Sequence, residues 1–541
     1  MKTGFIRCKA GFCIVVITAI LSLVHAWGQS SEQLDLQALT KLKAEAYNHS
    51  QAMETVSWLA DVYGPPLSGS PSMQGAANYL EKRMKEFGLS NVHRETFPFG
   101  RSWANTRFYL HEISPQTFPL IGILTAFTGG TNGWVRGEAV LLEVDPHEIN
   151  IEKNAAKYAG KLQGKFVLAP KPSFSFPAQP EGKLTAEDLA RLENTPSLSG
   201  RRMTWGYQVP DEEMRRSRNE ENKLAKWLLD QGVLAVIHSS AFGDYGTVFA
   251  EQREDVDPRS TLGVPDIVIA VEHYNRLVRQ LQKNIPVTLE LNAQVEAGNK
   301  MEDAINVIGE VPGTDKADEI VQLGGHYDAV FTGAGEGATD DLVGCATALE
   351  AVRLIQASGL KPRRTIRVAC WSSEEQGPRN GSRAYVQAHF RDWYTGELKP
   401  EWAKLSAYYN LDNGAGAIRG VYMQANEAVA PIFSAWIQPL RNMGVSTLVV
   451  RGESGPDHAS FDEVGLPGFA FIQDLLDYAV RTHHSNMDTY ERIPPEDTIK
   501  NSIIMAFFAW QTANRDELLP RKPMPKPWRE VQAQRSGSGR N

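Results

Sequence analysis

Cysteine is scarce in this sequence: there are four in 541 residues, and two of them, Cys8 and Cys13, fall in the N-terminal apolar run. Cys345 and Cys370 remain, both in apolar sequence. That excludes a disulfide-dense scaffold and favours inert buried thiols. An excess of positive charge is also missing. Lys and Arg total 56 against 64 Asp and Glu, a formal net charge of −8. With no long basic stripe, the chain is a poor nucleic-acid binder. Beyond the N-terminus no apolar run reaches membrane-spanning length. Low-complexity bulk and internal repeats are absent too.

The first 28 residues stand apart. Lys2, Arg7 and Lys9 precede "AGFCIVVITAILSLV", and small residues follow in "HAWGQS". This is the pattern of a secretory signal peptide, cleaved after Ala26 or Gly28. No lipid-attachment cysteine follows it. Losing its three basic residues takes the net charge from −8 to −11. The expectation is export to the periplasm or the exterior. Asn48-His-Ser and Asn380-Gly-Ser are sequons only in a host that glycosylates.

At 541 residues the chain exceeds one ordinary core. Segments 33–63 and 71–88 read as helices, the second with a serine cap and a stop at Gly88. Residues 118–296 carry short β-like runs at 137–144, 164–169, 234–239, 265–270 and 286–293, with helices at 221–232 and 272–282. Between these, 170–218 is Pro-, Ser- and Arg-rich and reads as mostly loop. From 304 the chain repeats strand, loop and helix, which predicts a mainly parallel sheet covered on both faces. "TIRVACW" is the nearly continuous apolar run of a central strand. The predicted organisation is therefore a leader (1–28), a first catalytic part (29–117), an inserted α/β domain (118–296), a second catalytic part (297–515) and an extended or disordered tail (516–541).

Functional groups of open parallel sheets gather at the carboxyl ends of the strands. There the sequence places His326 and Asp328 after "EIVQLGG", and Asp340 and Asp341 at the mouth of helix 342–358. It also places Glu374 and Glu375 after "TIRVACW", Asp412 after "LSAYYNL", and His483, His484 and Asp488 beyond "GFAFIQ". Each alone has a plainer reading: a helix cap for Asp340 or Asp341, a turn for Asp412-Asn413-Gly414, a surface loop for the histidines. Their convergence on one sheet edge points elsewhere. Two His, two Asp and one Glu suit a two-zinc site, and the lack of cysteine argues against a purely structural one.

In order, "GGHYDAV", "GATDDLVG", "SSEEQGPRNGSRAY", "NLDNGAG", "DHASFDEVGLPGFAF" and "HHSNMDT" resemble the motif set of the two-zinc exopeptidase superfamily. Within it, the likeness is to the carboxypeptidase Q branch and its bacterial relatives, over roughly 35–115 and 300–512. The resemblance implies the zinc-exopeptidase fold with a protease-associated-like insert. It implies two Zn²⁺ per chain, one held by His326, Asp340 and Asp412 and the other by Asp340, Glu375 and His484, with Asp340 bridging. Asp328 would accept the second N–H of His326, Asp341 would follow a cis peptide, and Glu374 would be the general base. His483 stands where relatives often carry tyrosine, and it and His458 are candidate pocket residues.

The implied function is hydrolysis of dipeptides or short peptides, with no nucleic acid or membrane span as partner; a homodimer stays open. Two other classes compete. A binding or receptor protein on the same scaffold should lack a ligand or the base, and this sequence lacks none. A glutaminyl cyclase-like acyltransferase is opposed by the intact Glu374-Glu375 pair together with Asp412 and His484.

Overall fold

The computed structural model describes residues 32–142, 156–168, 180–194, 222–240, 243–250, 252–253, 255–330, 335–377, 379–453 and 455–538. The leader predicted over 1–28 lies outside them. Sixteen strands occur among these residues. The first nine are β1 (Ser90–Gly100), β2 (Trp103–Ser114), β3 (Phe118–Pro119), β4 (Gly122–Leu124), β5 (Val135–Leu141), β6 (Phe166–Leu168), β7 (Ala235–Ser239), β8 (Asp266–Ile269) and β9 (Thr288–Ala297). The remainder are β10 (Glu302–Val311), β11 (Lys316–His326), β12 (Arg364–Trp371), β13 (Leu405–Asn410), β14 (Ile418–Tyr422), β15 (Thr447–Val449) and β16 (Gly468–Gln473).

They form two eight-stranded sheets. The larger domain's sheet runs β1-β10-β12-β11-β13-β16-β14-β15. Its four middle strands, β12, β11, β13 and β16, are mutually parallel. All but one residue of β12 are buried, as its unbroken apolar sequence predicts. Parallel strands buried on both faces need helices on both sides, and both are present. On one side helix Val343–Ala357 buries Leu349, Val352 and Ile355 with Ile504 and Phe508 of helix Pro495–Asn514 and Leu42 of helix Leu36–His49. On the other, Tyr385 and Phe461 pack on Ile308, Trp371 and Tyr408. Each fully buried side chain of this size contributes roughly 1.5–3 kcal/mol.

The helix ends follow local chemistry. Asp35 accepts from the Ala38 amide at 2.9 Å, and Ser70 accepts from Met73 at 3.3 Å. Helix Pro71–Glu86 stops short of Gly88, whose φ of +75° turns the chain into β1.

The second sheet runs β3-β2-β9-β5-β6-β7-β8-β4, with β5 to β8 parallel. It starts at Trp103, ahead of the boundary expected at 118, because the long β2 pairs along β9. Trp103, Phe127, Phe166, Tyr274 and Leu289 fill its own core. Of the stretch 170–218, expected to be mostly loop, only residues 180–194 are described, and among them Ala186–Glu193 is a helix started by a capping box between Thr185 and Asp188. The tail is neither free nor wholly extended. Arg521 donates to the Trp402 and Leu405 carbonyls at 2.8 Å, and Trp528–Ser538 is helical. No helix among the described residues is long and apolar enough to cross a membrane.

A charged clamp ties β1 to helix Asn380–His389. His389 Nε2 lies 2.9 Å from Glu95, with Glu401 at 3.6 Å from its other nitrogen. Its hydrogen bonds to the Glu401 and Glu95 carboxylates push His389 up to about 9. Burial raises Glu95, but the hydrogen bonds from His389 and His93 outweigh it and bring the group down to about 2. The imidazolium therefore stabilises fully below its unfolded pKa near 6.5, and that share is lost as pH rises through about 9. The carboxylate's share is present above its unfolded value near 4.5 and lost as pH falls towards about 2. Glu95→Gln should thus destabilise by roughly 1 kcal/mol near pH 6 and by much less at pH 10, measured by denaturant unfolding at both pH values.

Candidate metal centre

The parallel strands deliver the site. His326 is the last residue of β11 and is fully buried. Its Nδ1 lies 3.0 Å from the Asp328 carbonyl, which turns Nε2 towards Asp340 Oδ1 at 3.5 Å and Asp412 Oδ1 at 3.7 Å. Across Asp340 the other oxygen faces a second group. His484 Nε2 lies 3.2 Å from Asp340 Oδ2 and 2.9 Å from Glu375 Oε2. The two oxygens of one carboxylate therefore look in two directions, each towards an imidazole and a further carboxylate. Donor atoms of His326, Asp340 and Glu375 all lie within 4.8 Å of one another, as do those of Asp340, His483 and His484 and those of His326, Asp341 and Asp412.

Main-chain contacts shape this arrangement. Asp328 serves less as a carboxylate partner of His326, at 3.5 Å, than as an acceptor for the two glutamates. Its oxygens take the amides of Glu374 and Glu375, each at 3.2 Å. Ser373, just before them, has φ +56° and donates its amide to Ser68 Oγ at 3.0 Å. His484 sits at φ +58°. Non-glycine residues held there mark a site that its surroundings over-determine. The Asp340–Asp341 peptide is cis, as the resemblance implies. Asp341 then accepts from the His326 amide at 3.3 Å and the Gly344 amide at 3.2 Å. Gly325 leaves room for this, since a Cβ there would meet Asp341 Oδ2 at 2.6 Å. Asp488 takes the amides of Thr339 at 2.6 Å and Asp340 at 3.3 Å.

The electrostatics call for cations. Burial alone would depress His326, but Asp412, Asp328 and Asp340 hold it well above its ordinary value. Burial and the Asp340 charge push Glu375 up to about 7 against the pull of His484. Glu374 is pushed well up by burial and by Asp412, Asp457 and Glu375, although His326 pulls the other way. Carboxylates crowded at low dielectric titrate upward unless positive charge joins them. His326 Nε2 and Asp340 Oδ2 are buried without a hydrogen-bond partner. Unpartnered donor atoms, two imidazoles, carboxylate oxygens and no thiolate fit zinc in an exchangeable, catalytic type of site.

Of the other predicted residues, His483 is partly exposed, stacked on His484 with ring centroids 3.8 Å apart and 3.6 Å from Asp340 Oδ2. His458, expected in the pocket, is instead fully buried. Its Nε2 lies 3.0 Å from the Glu453 carbonyl and against Gln424, and burial lowers it to about 3. These contacts tie it to the 424 and 453 loops. Cys345 and Cys370 are both thiols, buried, with sulfurs 2.7 Å apart. Sequence reasoning missed Tyr478, whose O–H donates to Asp340 Oδ1 at 2.9 Å, and Ser68 beneath the glutamates. Nothing in their local sequence marks them.

A mainly parallel α/β sheet with His, Asp and Glu at its strand ends is the architecture of a metallo-exopeptidase, and the comparisons agree. The profile of peptidase family M28 matches residues 306–509. Carboxypeptidase Q of Homo sapiens is 25% identical over 495 residues, covering 90% of this chain and 90% of its own length. The Mus musculus carboxypeptidase Q is also 25% identical, with the same coverage. A peptidase M28 precursor from Shewanella amazonensis SB2B superposes with a TM-score of 0.62 at 24% identity, over 91% of this chain and 98% of its own. BSAP, a zinc aminopeptidase from Bacillus subtilis, gives 0.54 at 16% identity, over 87% and 97%. Residues 306–509 thus match peptidase family M28, and the chain is similar over nearly its whole length to proteins named carboxypeptidase Q.

Because Asp328 fixes both glutamate amides, Asp328→Ala should weaken divalent-metal binding about 10–100-fold while the chain stays folded. Metal content at buffered free zinc, read beside circular dichroism, checks this.

Proposed function

We propose that this chain is an exported zinc-dependent exopeptidase that hydrolyses dipeptides or short peptides, with two Zn²⁺ per chain and Glu374 as general base. The observation that carries the reading is the split of the Asp340 carboxylate. Oδ1 faces His326 and Asp412 shares that imidazole, while Oδ2 faces His484 and Glu375 shares that one. His326, Asp340 and Asp412 would hold one ion; Asp340, Glu375 and His484 would hold the other. Bound zinc supplies Lewis-acid polarisation and acidifies water.

The chain's own residues account for the proton. The Glu374 carboxylate interacts electrostatically with His326, Asp412 and Glu375, and its amide is anchored on Asp328. Its environment resists ionisation, which makes the ionised carboxylate a strong acceptor. It takes the proton of the attacking water and returns it to the amine nitrogen as the peptide bond breaks. Asp328, Asp341 and Asp488 hold the main chain, and the partly exposed His483 borders the substrate side. The basic and apolar leader supports export. The full-length likeness to proteins named carboxypeptidase Q supports a small peptide substrate.

Glu374→Gln keeps the shape and removes the base. It should retain zinc by elemental analysis and lose at least two to four orders of magnitude of turnover on a dipeptide panel. Turnover retained at the wild-type level would sink the assignment. Zinc removal with a chelator should abolish turnover, and added zinc should restore it. It should also lower the melting temperature, because an ion bound only by the folded state stabilises by mass action.

A further inference from the structure

We infer that the inserted domain is a structural part of the second metal group: its residues 244–250 and Gln252 position His484 and Glu375. This rests on the two-ion reading above. The loop carrying His484 is paired to the insert on both sides of the ligand. The His484 carbonyl accepts from the Ala250 amide at 2.6 Å, and Ser485 pairs antiparallel with Phe249. Asn486 donates its amide to the Val248 carbonyl at 3.1 Å. Its side chain takes the Val248 amide at 2.7 Å and donates to Gly246 at 3.1 Å. Before the ligand, Arg481 reaches Asp244 at 3.0 Å and Thr247 Oγ1 at 3.1 Å, largely out of solvent. Glu375 is held from the same strip, because Gln252 Nε2 donates to its carbonyl.

The first group is built differently. The His326 amide bonds Asp341, and the amide next to Asp412, that of Asn413, bonds Gln473 at 3.1 Å. All of these lie in the catalytic domain. Among the described residues, the insert therefore touches the main chain of two of the three second-group ligands and of neither private first-group ligand. His484 also sits at φ +58°, uncommon for a residue other than glycine. Asp244, Asn486 and Gln252 are thus positioning residues for one ion rather than for both.

The test is stepwise zinc binding by the full chain under graded free zinc, read by elemental analysis and beside circular dichroism. The wild type should bind two ions. Asp244→Ala and Asn486→Ala should bind the first with unchanged affinity and the second about 10–100-fold more weakly. Exchanging the charges with Asp244→Arg and Arg481→Asp together should restore the second ion, which a general loss of packing would not do. Arg136→Ala, which removes a pair with Glu290 elsewhere in the insert, should change neither. Should Asp244→Ala fail to fold, Gln252→Ala removes a single contact on the Glu375 carbonyl and carries the same test. Wild-type binding of both ions by the folded variants, or equal weakening of both, overturns the inference. A wild type that binds fewer than two overturns the two-ion reading instead.

Discussion

Carboxylates crowded together out of water repel, and the larger domain is organised around that repulsion. Asp328, Asp340, Asp341, Asp412, Glu374, Glu375 and Asp457 surround the buried His326. Burying an ion costs several kcal/mol in practice unless charge and hydrogen bonds offset it. The protein meets part of that cost with main-chain amides: Asp328 takes two, Asp341 two and Asp488 two. Asp340, Asp412 and Glu375 have imidazoles instead of amides, and these are the groups left for cations. The division between acids satisfied by the backbone and acids kept for an ion is what makes the cluster a site.

The parallel sheet makes the convergence geometrically inexpensive. Strands β12, β11 and β13 end side by side, so residues far apart in sequence arrive at one edge without long loops. His326 needs only to be the last residue of its strand. The helix that follows Asp340 and Asp341 packs its apolar face on that same sheet, so the core that stabilises the domain also fixes the Asp340 carboxylate.

Much of this was legible in the sequence, for identifiable reasons. The apolar run before Glu374 marks a buried strand, and acids directly after a buried strand have few structural reasons to be there. The same logic found Asp412 and His326. Gln252, Asn486 and Tyr478 were not legible. Their roles come from contacts between segments distant in the chain, and no local pattern records such pairing. Helix Ala186–Glu193 was hidden by Pro- and Ser-rich flanks, although Thr185 and Asp188 carried its capping signal.

The donors themselves come from five separate stretches: a strand end at 326, a helix mouth at 340, and turns at 375, 412 and 484. Dispersed donors leave the unfolded chain with no local pocket that chelates strongly, unlike a helix that carries two ligands one turn apart. Ion capture therefore follows assembly of the sheet, and the ion acts as a late lock on a finished frame. The identity of a captured metal would then follow the ion supply at the place where the chain folds.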